Sequence, residues 1–259
     1  MGSQPRFIET RTEGSVAFIE LNRPEVLNAL NRGMVAEILA AMEEFDRAEE
    51  VKAIVLSGKG RCFAAGADID EMAEAEAIEM ELLNQFTDWD RLAWIKKPII
   101  GAVHGFALGG AFELALCCDL LFAAEDAEFG FPEVLLGVMP GAGGTVRLTK
   151  LVGKTKAMEW LFTGKRISAK EARDFGLVNQ LFAREALMEE TARYARELAK
   201  MPPLSVRFIK ESVLKAIDTS IYEGMQFERK NFSLLFSSGD QKEGMKAFIE
   251  KRKAQFKGL

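Results

Sequence analysis

Two carboxylates in this chain stand where the polypeptide is about to turn into a helix, in surroundings apolar enough to alter their chemistry. Glu113 falls in the first turn of a helical segment that opens after Gly109-Gly110, among Phe112, Leu114, Ala115 and Leu116. An acid there is either a surface group stabilised by the helix dipole or a reactive one held in a low-dielectric cleft. Glu133 follows Pro132, a residue suited to the first helical position, and the same two readings apply. Glycines at 105, 109 and 110 permit a tight turn, and a helix starting near Gly110 points free amides and the positive end of its dipole outward. Such a turn either binds an oxyanion or uses glycine only for its φ. The run Ala64-Ala65-Gly66-Ala67-Asp68 has the same character, with Asp68 placed to cap a following helix. Two such turns brought together supply two amide donors, the minimum for stabilising negative charge that develops on a carbonyl oxygen.

Other chemistries lack raw material. There is one histidine, His104, on the edge of a strand with no acidic or nucleophilic partner at readable spacing, which favours a structural role. The three cysteines are Cys62 and the adjacent Cys117 and Cys118; no Cys or His cluster has metal-ligand spacing, and no disulfide framework is indicated, so no metal and a reducing compartment are expected. Asn28, Cys62 and the methionines near residues 70–83 read as packing or lining. Gly141-x-Gly143 lacks the third glycine of a dinucleotide loop, because position 146 is valine. Gly153-Lys154-Thr155 resembles the end of a phosphate loop, but the upstream glycine position is Leu148. A net charge of -5 gives no basic footprint for nucleic acid, although a local pocket can still hold a small anion.

These residues need elements to position them, and 259 residues suffice for one main core. Residues 16–21 read as a strand stopped by Arg23-Pro24. A helix is expected over 31–48, with Met34, Ile38, Ala41, Met42 and Phe45 on its apolar face. Residues 52–56, 98–103 and 120–123 read as further strands, and 70–94 as a helical stretch of acids and methionines able to move. The glycine turn at 105–110 leads into a helix over 111–118, and residues 140–144 open another over 145–151. Ser168 and Glu171 have capping-box spacing before a helix ending at Gly176, and a strand over 177–182 follows. Beyond it, helices are expected at 184–200, 203–217, 220–235 and 240–256. Alternating apolar strands and helices predict an α/β fold with largely parallel pairing, and amphipathic terminal helices predict subunit packing. Residues 1–11 show no secretory signal and no run spans a bilayer, so a soluble cytoplasmic protein is expected, with no membrane partner.

Taken together, Asn28-Ala29-Leu30, residues 63–69 (Phe-Ala-Ala-Gly-Ala-Asp-Ile), residues 105–115, Phe129-Gly130-Phe131-Pro132-Glu133 and residues 140–144 resemble the enoyl-CoA hydratase branch of the crotonase superfamily. The similarity runs from about Phe7 to Lys257 and takes in Glu243-Gly244-Met245 and Glu250-Lys251-Arg252-Lys253. The resemblance implies a crotonase-type β-β-α spiral core over residues 1–195 and a helical C-terminal trimerisation region over 196–259. It also implies a homotrimer or a hexamer built as a dimer of trimers. It assigns the oxyanion hole to the Ala67 and Gly110 amides and substrate binding to Ala65, Ala67, Asp68, Ile69, Asp70 and Gly110. The adenine end of the acyl-CoA thioester is placed near Asn28, with Lys251 and Phe248 toward a neighbouring subunit's CoA. Glu113 and Glu133 become the catalytic pair for adding water to a 2-trans-enoyl-CoA, with no cofactor beyond the CoA of the substrate.

Either glutamate fits the acid and the other the base at this stage. Asp70, Phe112 and Phe131 depart from the usual hydratase pattern, which bears on acyl-chain preference and phosphate contacts. An enoyl-CoA isomerase is the rival within the superfamily. A catalytically dead RNA-binding member is the rival outside enzymology, and the acidic charge and the intact glutamate pair count against it.

Overall fold

The structure, a computed structural model, describes residues 6–84 and 86–258. Residues 1–5 of the segment read as lacking a signal, position 85 of the acid-and-methionine stretch and residue 259 lie outside the described residues.

Among the described residues nine strands form two sheets. β1 (Ile8–Glu13), β2 (Val16–Leu21), β3 (Ala53–Gly58), β4 (Ile99–Val103), β6 (Leu120–Ala124) and β9 (Gln180–Phe182) make the larger, in the order β1-β2-β3-β4-β6-β9. β1 runs antiparallel to β2 and every other pair is parallel. The residues of β3 and β4 are buried throughout, which is why they read as continuous apolar runs: a parallel sheet is covered on both faces. β5 (Phe106–Leu108), β7 (Glu128–Gly130) and β8 (Ile167–Ser168) form the smaller sheet, in that order.

The chain deals strands to the two sheets in turn. β4 is followed at once by β5, and β6 by β7. Isolated bridges, Leu30 with Ala67 and Ala64 with Ala107, extend the smaller sheet toward the earlier turns. Each lap therefore contributes to both sheets, the β-β-α spiral implied by the resemblance. β5 lies inside the segment read from sequence as a glycine turn, and the smaller sheet holds the two glycine-containing runs side by side.

Helices pack around the spiral, with α4 (Gly110–Leu116) enclosed within the molecule. In α1 (Arg32–Arg47), Asn31 caps the N-terminus by accepting from the Met34 amide at 2.8 Å, and Met34, Ile38 and Met42 are buried as the periodicity predicts. The stretch expected to be one helical run past residue 70 is divided into α2 (Ala77–Leu83) and α3 (Thr87–Leu92). All seven residues of α4 (Gly110–Leu116) are buried, so the helix bearing Glu113 has no solvent face. α5 (Gly144–Val152) packs against α4, and α6 (Lys154–Thr163) against α5. α7 (Ala169–Asp174) has half of its expected capping box: Ser168 accepts from the Glu171 amide, while the Glu171 carboxylate takes the Trp160 indole N–H at 3.2 Å. α8 (Leu187–Leu198) lies on the larger sheet, and the boundary expected after residue 195 falls within it.

α9 (Pro203–Asp218), α10 (Ile221–Leu235) and α11 (Gly239–Ile249) complete the chain; the last stops short of the expected residue 256, and Lys251 takes a positive φ of 54°. α9 buries none of its residues. Its attachment is polar: Lys210 Nζ donates to Asp119 Oδ2 at 2.7 Å and to the Lys97 carbonyl at 2.9 Å, and Lys150 pairs with Asp218. Ile209, Val213, Ile217, Ile221, Tyr222 and Phe232 on α9 and α10 are exposed. Among the described residues no helix is long and apolar enough to cross a membrane, and no group of three or more His, Cys, Asp or Glu side chains could hold a metal ion.

Candidate active site

The turn before α4 is the meeting point. Gly109 has φ 52° and ψ -128°, a backbone state that a side chain resists, and its amide donates to the Gly130 carbonyl at 2.8 Å. That bond ties the start of α4 to the end of β7, three residues before Glu133. Gly66, with φ 117°, lies so close to β5 that a Cβ there would stand 2.8 Å from the Leu108 carbonyl oxygen. The second glycine-containing run is thereby pressed against the first, and a Cβ on Gly110 would sit 3.5 Å from the Ala67 nitrogen.

Backbone bonding leaves these two amides free. Leu30 takes Gly66 O and gives its own carbonyl to the Asp68 amide, so Ala67 between them has its N–H directed elsewhere. Gly110 opens α4 and has no carbonyl one turn back within the helix. Among the described residues neither amide donates to a protein acceptor. The pair expected from sequence is thus assembled by the smaller sheet.

The two glutamates converge on the same turn. Glu113 is 4% exposed, and its Oε1 accepts from the Ala142 and Gly144 amides, both at 2.7 Å. Burial pushes its carboxyl up, while the two amides and the positive charge of Arg147 pull against that rise. Glu133 sits in the short 3-10 turn Pro132–Leu136, and a Cβ on Gly109 would stand 3.0 Å from its Oε1. Its Oε2 is buried with no hydrogen-bond partner among the described residues. Burial, with the nearby charge of Glu113 adding to it, pushes the Glu133 carboxyl up to about 7. Two acids in one electrostatic neighbourhood, one gripped by two amides of another segment and one with only its own backbone N–H as donor and Oε2 unpartnered, do not ionise alike.

The remaining expected residues divide between rim and framework. Ala65 and Ala67 are half-buried beside the turn, whereas Ile69 and Asp70 are exposed on the short 3-10 turn Ile69–Glu71. Asp68 does not cap that turn; its carboxylate pairs with Arg23 at 3.1 Å, because the guanidinium is a stronger partner than a single amide. Asn28 is fully buried at φ 55°, with Nδ2 donating to the Lys59, Cys62 and Phe63 carbonyls and Oδ1 accepting from the Arg23 amide. It fastens the loop ahead of Ala65, where the sequence suggested only packing or lining. His104 contacts the Gly60 carbonyl at 3.1 Å, and burial pushes the Cys62 thiol up to about 11, so neither is poised for catalysis. Phe112 and Phe131 are buried and stacked with ring centroids 4.7 Å apart, and a Cβ on Gly144 would come within 2.8 Å of the Phe131 ring. They form an apolar wall behind Glu113 and do not line the solvent face.

Sequence reasoning missed Ala142, Gly144 and Arg147. The 141–144 run lacks the glycines of a nucleotide loop, yet it does bind an anion, the carboxylate of Glu113.

Two free amides with two unequal carboxylates beside them, carried on a two-sheet spiral, are the features of a crotonase-type fold. A family model described as "Enoyl-CoA hydratase/isomerase" matches residues 11–259. A "Probable enoyl-CoA hydratase" of Rhizobium meliloti is 46% identical over 246 residues, covering 95% of this chain and 96% of that protein. A mitochondrial enoyl-CoA hydratase of Pongo abelii is 46% identical over 243 residues, 94% of this chain and 84% of that one. Among solved structures, one described as "Enoyl-CoA Hydrates Subunit I" from Geobacillus kaustophilus HTA426 superposes with a TM-score of 0.98 at 64% identity, covering 99% of this chain and 100% of that one. The chain belongs to the enoyl-CoA hydratase/isomerase family of the crotonase superfamily.

Proposed function

We propose that this protein is an enoyl-CoA hydratase, adding water across a 2-trans-enoyl-CoA to give a 3-hydroxyacyl-CoA in fatty acid β-oxidation or a related acyl-CoA degradation. The observation that carries the reading is the convergence of Glu113 and Glu133 on the turn whose Gly110 amide, with that of Ala67, is free. The amides hold the thioester oxygen, and attack at the β-carbon places negative charge on that oxygen as an enolate. Glu113, held by two amides beside a cation, is the ionised member and takes a proton from water as its oxygen bonds to the β-carbon. Glu133 keeps its proton to higher pH and delivers it to the α-carbon. The product gains one oxygen and two hydrogens, and the two carboxyls end with exchanged protonation until solvent restores them.

The assignment has a pH signature. The proton on Glu133 is lost as pH rises through about 7, so kcat is expected to fall on the alkaline side with an apparent pKa near that value. A kcat profile flat from pH 6 to 9 would contradict it.

Ala65, Ala67, Asp68, Ile69, Asp70 and Gly110 line the acyl-CoA in this reading, with the adenine end toward Asn28; no further cofactor takes part. The exposed apolar side chains of α9 and α10 support a homotrimer or a hexamer of two trimers, with Phe248, 86% exposed, and Lys251 facing a neighbouring subunit's CoA. A division into a core to residue 195 and a helical region beyond it, and a cytoplasmic location, accompany this reading. Incubation with a 2-trans-enoyl-CoA tests it: hydration removes the absorbance of the conjugated thioester. An enzyme that leaves that absorbance intact but generates it from a 3-enoyl-CoA is an isomerase instead.

A further inference from the structure

Arg147 lies one turn into α5, and its side chain folds back along the helix start. A Cβ on Gly143 would stand 3.5 Å from both its Cζ and its Nε. Residue 143 is flanked by Ala142 and Gly144, whose amides both grip Glu113 Oε1 at 2.7 Å. The guanidinium therefore rests directly behind the clamp that holds the carboxylate. Its Nε is buried with no hydrogen-bond partner among the described residues. Arg147 is half-buried, so its charge stays close to Glu113 while this one nitrogen, Nε, makes no direct bond to an acceptor.

We propose that Arg147 sets the division of labour between the two carboxylates: from behind residues 142–144 it holds the negative charge of the pair on Glu113 and so leaves the proton on Glu133. The inference rests on the reading of Glu113 and Glu133 as the catalytic pair. Arg147 does not reach the reacting atoms in this role; it is a positioning residue acting through Glu113.

The charged and titratable groups whose fields reach Glu113 are few. Glu133 faces it from the Pro132–Leu136 turn, Arg147 from α5 and Cys117 from the end of its own helix. Cys117 is a neutral thiol, pushed up to about 11 by burial. Asp218, at the end of α9, also feels Arg147 but is paired with Lys150. Glu133 opposes ionisation of Glu113, and of these groups Arg147 alone brings positive charge to favour it. Remove that charge and the proton is shared more evenly between the acids.

The test compares wild type, R147M, R147K, E113Q and E113Q/R147M through pH–rate profiles of kcat/KM with a 2-trans-enoyl-CoA, alongside thermal unfolding and oligomer mass. Loss of the cation raises the proton affinity of Glu113. The acid limb of R147M is therefore expected to move up by about one pH unit. Its rate at pH 6 then falls by up to about tenfold, while the plateau changes less than about threefold. R147K keeps the charge and its limb stays with the wild type. In the E113Q background R147M brings no further loss, because the group it acts through is gone.

An R147M limb that coincides with wild type overturns the proposal. So does a limb that stays put while the unfolding temperature or the oligomer mass falls, since Arg147 then serves packing or a carboxylate of a second copy. Additive losses in the double variant overturn it as well. Should R147M fail to fold, an R147K limb displaced like that of a charge-free enzyme has the same force. If E113Q retains normal turnover, the catalytic pair itself is wrong, a failure distinct from a normal R147M profile in an enzyme that E113Q inactivates.

Discussion

Glu113→Gln and Glu133→Gln are each expected to lower kcat about 100-fold or more, the usual scale for losing a general acid or base. The two substitutions do so for opposite reasons. After Glu113→Gln the side-chain carbonyl can still accept the Ala142 and Gly144 amides, so the α4–α5 junction survives, but an amide cannot take a proton from water. Glu133→Gln imitates the protonated carboxyl in shape and charge, yet the new amide has no proton to deliver to carbon. Their stabilities should differ accordingly. A carboxyl whose folded pKa is raised to about 7 from an ordinary 4.5 opposes folding increasingly as pH climbs between those values. Glu133→Gln removes that opposition, so its unfolding temperature at pH 8 should equal or exceed that of the parent. Initial rates on a 2-trans-enoyl-CoA, with thermal melts of the same preparations, check both statements. Near-normal turnover in either folded variant refutes the role given to that residue.

Gly144→Ala is expected to lower kcat about 100-fold, since displacing a reacting group by an ångström can cost that much, and to lower the unfolding temperature as well, because the methyl overpacks a filled interior. The added methyl would arrive 2.9 Å from Glu113 Oε1 and 2.8 Å from a ring carbon of Phe131. Phe131 is stacked against Phe112 in a filled interior and has little room, whereas the carboxylate is the free end of a side chain. Glu113 therefore yields, and its move breaks the alignment with the water and the amide clamp. Because Gly144 begins a helix, alanine suits the backbone there, and the loss of stability comes from the contact with Phe131. A Gly144→Ala enzyme with unchanged kcat would show that the Glu113 carboxylate tolerates displacement.

The parts of the fold that could be read from sequence are those whose burial leaves a long pattern. β2, β4 and α1 carry uninterrupted apolar runs or a clear helical stripe. β5 and β7 are three residues each and lie among glycines, so no period could develop in them. β1, Ile-Glu-Thr-Arg-Thr-Glu, exposes every residue after Ile8 and shows no apolar alternation. α6 begins immediately after Gly153 and was obscured by the resemblance of Gly153-Lys154-Thr155 to a phosphate loop.

The candidate site divides the same way. Glu113, Glu133 and the two glycine-containing runs announce themselves because each is chemically odd within its own few residues. The amides of Ala142 and Gly144 do not, for a backbone N–H is present everywhere, and their partner lies 29 and 31 positions away. Arg147 reads as an ordinary helix residue until its guanidinium is found lying along Gly143. Asp68 shows the opposite error: an acid at capping distance was taken by a cation 45 residues distant in sequence.

Because α4 is enclosed on every side, the glutamate it carries has no freedom to wander during descent. A lineage adopting new acyl groups would have to dismantle its interior before relocating that carboxyl. Innovation is therefore channelled to the periphery, to segments such as α2, where replacements leave that buried carboxyl in place.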